Sequence, residues 1–97
     1  MASIRQLKKD VDDLISQVVI DCFRYNRITE RAHEEATHQI IDEVLVLGGE
    51  LLKRVNRRTE SGEPKVVRNY YRAIIRDLLA GCDKAYDKLR QLSEKES

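Results

Sequence analysis

The stretch that decides the fold is Ile4–Cys22, IRQLKKDVDDLISQVVIDC. Its main apolar positions are Ile4, Leu7, Val11, Leu14, Ile15, Val18, Val19 and Cys22. Steps of three and four, at about 100° per residue, gather all eight within roughly 140° of a helix circumference. A strand would need alternation of period two, which this stretch lacks. It therefore reads as an amphipathic helix with one oily side to hide. Ser3 followed by Gln6 matches a capping box and predicts the start. Tyr25-Asn26 predicts the end, because Asn tolerates the left-handed conformation of a helix stop.

The same pattern recurs twice downstream. Thr29 reads as the N-cap of a second helix, with Glu30, Glu34 and Glu35 placed where the helix dipole favours anions. Its stripe is Ala32, Ala36, Ile40, Val44, Leu47, Leu51 and Val55, flanked by Ile41, Leu45 and Leu52. Gly48-Gly49 interrupts that stripe and suggests a kink or a helix break, or else close packing. A hairpin turning near Glu60 would set Gly48 level with Arg72, with the ring of Tyr71 filling the space. The segment Thr59–Pro64, TESGEP, is the clearest loop, with Pro64 suited to a first helical position. A third stripe follows: Val67, Tyr71, Ile74, Leu78, Cys82, Ala85, Leu89 and Leu92.

Three such helices, at about residues 3–25, 29–57 and 64–92, bury their stripes most simply by folding up, down and up. The expected fold is an all-α antiparallel three-helix bundle. With 97 residues the chain has interior enough for one domain, covering 1–97. At 41% hydrophobic and 36% charged, it is too apolar for disorder and charged enough for solvated outer faces.

No apolar run is long enough to span a membrane. The opening MASIRQLKKDVDD is too charged for a secretory leader, so a cytoplasmic location is expected. Helix one sets Arg5, Lys8 and Lys9 beside its stripe, but Asp10, Asp12, Asp13 and Asp21 oppose an anionic bilayer. No membrane partner is expected. Cys22 and Cys82 belong to no CxxC pair and fall near apolar stripes, as buried free thiols would.

Chemistry-bearing patterns are sparse. His33 and His38 diverge by about 140° on a helix, so they cannot share a metal on one face. Glu35-Ala-Thr-His38 has the spacing of a carboxylate-bridged di-iron site, but no second Glu-x-x-His accompanies it. No nucleophile stands beside an evident base, and Asp12-Asp13 diverge. Gly48-Gly49 lacks the following Lys-Ser/Thr of a phosphate loop. No enzyme, metal or cofactor is expected.

Two surfaces remain. Ile75, Leu79 and Tyr86 line one flank of helix three beyond its stripe, with Phe23 and Ile20 displaced similarly on helix one and Val46 pointing out of helix two. Aligned bulky residues of this kind predict a homodimer or another protein partner, with Ile75, Leu79, Tyr86 and Phe23 at the contact. The net charge is only +1, yet residues 1–10 and 50–72 hold ten basic against four acidic residues. Such a basic pole makes nucleic acid the alternative partner, through Arg54, Arg57, Arg58, Lys65 and Arg68.

The segment SIRQLKKDVDDL, with Asp21-Cys22 closing the same helix, resembles a group of short all-helical bacterial proteins of unknown function. That resemblance implies a compact cytoplasmic helical protein and brings no activity or cofactor with it.

Overall fold

The computed structural model describes residues 4–57 and 63–95. Three helices account for nearly all of them: α1 (Ile4–Ile28), α2 (Glu34–Asn56) and α3 (Pro64–Lys95). They form a three-helix bundle, with no strand among the described residues. The rod measures 53 × 19 × 18 Å, and its length is close to the ~48 Å expected of a helix as long as α3.

The core is made by the predicted stripes. Leu7, Val11, Ile15, Val18 and Cys22 come from α1, Ile40, Ile41, Val44, Leu51 and Val55 from α2, and Ile74, Leu78, Cys82, Ala85 and Leu89 from α3. Each fully buried Leu, Ile or Val contributes about 1.5–3 kcal/mol relative to exposure. Ile4, Leu14 and Leu45, read as stripe or flank, are instead exposed, and Ala32 lies in a turn outside any helix. Ser3 and the loop residues 59–62 lie outside the described residues.

The α1–α2 junction departs most from expectation. α1 runs past Asn26 to Ile28 because Asn26 is a buried helical residue and not a stop. The chain leaves the helix through a Schellman pair, Arg31 N–H to the Asn26 carbonyl (2.8 Å) and Glu30 N–H to the Arg27 carbonyl (3.3 Å). Glu30 therefore occupies the left-handed position that usually takes Gly, at φ 53°, and Arg31 follows at φ 65°. Thr29 does not cap α2. Its hydroxyl turns back and donates to the Tyr25 carbonyl at 2.9 Å, sealing the end of α1. His33 is the N-cap of α2 and makes no side-chain cap bond, and the first turn of the helix carries Glu34 and Glu35.

Gly48-Gly49 does not break α2, which is continuous from Glu34 to Asn56. Nor does Tyr71 fill the space at Gly48. A Cβ there would stand 3.1 Å from Cγ1 of Ile15, so Gly48 is the seat on which α1 rests. On the α3 side, Leu47 lies over Gly81. Antiparallel counting from that contact sets Asn56 near the level of Arg72, a shift of eight residues from a turn centred on Glu60. The first two turns of α3 thus lie beyond the end of α2. Tyr70 bridges the step, its phenol donating 2.6 Å to the Arg54 carbonyl, one of the last carbonyls of α2.

Candidate interaction surfaces

α1 and α3 run parallel, and their shared seam is marked by Tyr86, whose hydroxyl donates to Oδ2 of Asp21 at 2.5 Å. Burial pushes the Tyr86 phenol well above its ordinary value, and the bond to the Asp21 carboxylate pushes the same way. Asp21 is held in turn by Gln17 Nε2 at 3.1 Å and by Arg24 at 3.7 Å. The register follows from this contact. Two turns earlier on each helix stand Leu14 and Leu79, at a common level and on the same sides as Asp21 and Tyr86. Leu14 is 37% exposed and Leu79 50%.

Of the four residues expected at a contact flank, the structure brings three together. Leu79 and Tyr86 are exposed along the seam, and Ile75 lies beside them but is partly buried against the core. Phe23 does not join them. It is two residues from Asp21, so it projects about 160° away from the face that meets α3, on the other side of α1. Phe23 and Ile20 are exposed side by side, three residues apart on α1, and Val46 is exposed on α2, all outside that seam. Sequence reasoning missed Leu14, because its place in the stripe could not reveal that α3 stands too far off to cover it.

The basic residues also divide. Arg54 is committed: its Nη1 donates to Oδ2 of Asp77 at 2.7 Å, between α2 and α3. That bond, with the charges of Arg54 and Arg76, holds the Asp77 carboxyl below its usual range. Arg57, Lys65 and Arg68 are exposed and make no ion pair among the described residues, and Arg58 lies outside them. Arg72 and Arg76, on the same helix as Lys65 and Arg68, are exposed as well.

The remaining candidates lie apart from one another. His33 stacks on Tyr25 with ring centroids 6.3 Å apart, while His38 sits 3.8 Å from Glu34. Cys22 and Cys82 are buried free thiols. Burial, helped by the charge of Asp21, pushes Cys22 up to about 11, and burial raises Cys82 likewise. Among the described residues, no group of three His, Cys, Asp or Glu gathers where a metal could bind. No helix among them is long and apolar enough to cross a membrane. Comparison with known protein families, characterised proteins and solved structures finds no match to this chain.

Proposed function

We propose that this chain is a non-enzymatic cytoplasmic protein that works by self-association, two copies meeting through the α1–α3 seam. The observation that carries the reading is the level shared by Leu14 and Leu79, two exposed leucines on neighbouring helices, continued by Ile75 and the ring of Tyr86. Bulky apolar side chains lined along one seam are the usual mark of an interface, whereas scattered ones are not. A two-fold axis through Leu79 would set the seam against itself and cover all four residues at once. The bond from Tyr86 to Asp21 supports the reading further, since it fixes the seam's geometry before any partner arrives.

Light scattering at micromolar concentration tests this directly. The wild type is expected to show twice the monomer mass, Leu79→Glu the monomer mass, and Phe23→Glu no change, because Phe23 lies off the seam. A monomeric wild type, or a Leu79→Glu variant that stays dimeric, overturns the reading.

A further inference from the structure

We propose that the outer face of the first half of α3 binds the phosphate backbone of a nucleic acid. Lys65, Arg68, Arg72 and Arg76 follow one another at steps of three, four and four, and all four are exposed. At about 5.4 Å per turn they form a straight row of cations along the helix. A row of this kind can track successive phosphates of one strand, whereas a flat bilayer is met by cations spread over a plane. Its partial overhang past the end of α2 leaves it open to a long ligand.

Internal pairing does not account for these charges. Lys65, Arg68 and Arg72 make no ion pair among the described residues, and the one partner of Arg76, Asp77 at 3.7 Å, leaves its side chain 77% exposed. Folding does not ask for them either. The first turns of α1 and α3 contain no acidic residue, and Arg5 and Lys65 stand where the helix dipole disfavours cations. α2 obeys the dipole at both ends, with Glu34 and Glu35 in its first turn and Lys53 and Arg54 in its last. Lys8, Lys9, Lys53 and Arg57 raise the positive potential of the same end, against Asp10, Glu50 and Glu63.

This binding does not rest on self-association, although the row runs into the α1–α3 seam: Leu79 stands two turns beyond Arg72 on the same side of α3. The experiment is fluorescence anisotropy of a labelled DNA duplex and of a labelled single strand, titrated with the protein between about 50 and 200 mM salt. Four contacts predict a slope of log affinity against log salt near −3.6 for the duplex. The pair Arg68→Gln/Arg72→Gln should lower that slope by about two. The pair Arg24→Gln/Arg27→Gln removes the same charge from the far end of α1 and should leave the slope unchanged. Leu79→Ala, monomeric or not, adds no charge beside Arg76 and should keep the wild-type slope per chain, so failure of the seam and failure of this site are told apart. Absence of binding at low salt, an equal loss in the control pair, or binding to phosphatidylserine vesicles without binding to either oligonucleotide overturns the proposal.

Discussion

The hydroxyl of Thr37, in the first turns of α2, donates a 2.6 Å hydrogen bond to the side-chain carbonyl of Asn26 near the end of α1. Thr37 is 0% exposed and Asn26 8%, so neither partner has water as an alternative. A one-residue slip between the helices would leave the Asn26 carbonyl buried and unmatched, while the Thr37 hydroxyl could fall back on the Glu34 carbonyl of its own helix at 2.8 Å, so Asn26 is the side of the pair that pins the register of the first hairpin. Replacing Thr37 by Val keeps the shape and removes the donor. Thr37→Val should cost about 1–3 kcal/mol, the desolvation penalty of a stranded carbonyl. Urea unfolding measures it. A cycle with Asn26→Ala should show the double variant costing less than the sum of the singles.

Gly48 and Gly49 are adjacent and should respond oppositely to the same change. Gly→Ala inside a helix gains about 1 kcal/mol in propensity. A Cβ at Gly49 meets nothing within 4 Å, so Gly49→Ala should realise most of that gain. A Cβ at Gly48 would stand 3.1 Å from Ile15, itself buried and branched, which has little room to yield. Thermal melts should place Gly49→Ala above the wild type and Gly48→Ala at or below it.

Acid should weaken the α2–α3 contact through Asp77. Because Arg54 holds the folded-state carboxyl lower than in the unfolded chain, protonation favours unfolding. The stabilisation is complete at neutral pH, and it fades as pH drops below the ordinary carboxylate value and through the lower folded one. Asp77→Asn should be less stable than the wild type at neutral pH and lose less on acidification, as followed by circular dichroism.

Alkali should act through the thiols with the opposite sign. Cys22 titrates at about 11 in the fold against 9.0 for an ordinary thiol, so the folded state holds a proton that the unfolded chain releases. Stability from this source is intact below the ordinary value and falls as pH rises from there towards about 11. Cys22→Ala, whatever its cost at neutral pH, should flatten that alkaline decline. In the wild type, both thiols should react with Ellman's reagent at mildly alkaline pH only as fast as the bundle opens.

The three stripes were readable because period 3.6 over twenty or more residues has no competing explanation; most stripe residues within a helix are buried or packed on the core, the exceptions being Ile4, Leu14, Ala36 and Val67. What failed lay where a single residue type supports two local structures. Asn26 and Thr29 both carry turn chemistry, and only the burial of Asn26 against Thr37 reveals that the helix continues past the first and is closed by the second. The spacing of α2 from α3 was likewise hidden, since loop residues between Asn56 and Pro64 do not state how far one helix slides along the other. That slide matters for the surfaces. It pairs Arg54 with Asp77 and removes it from the basic group, while Arg72 and Arg76 take up the exposed positions. Phe23 was misplaced for a related reason: a helical wheel gives an angle on one helix but not which neighbour stands on that side.

The up-down-up order has a further electrical consequence. α1 and α3 present their amide ends to the cationic pole and α2 its carbonyl end, so one helix's worth of backbone polarity is left uncancelled, about half a charge at each tip. It points the same way as the side-chain charges along a rod 53 Å long. A distant polyanion would therefore exert a torque as well as a pull, turning the rod end-on before first touch and bringing the start of α3 to it ahead of any other part of the molecule.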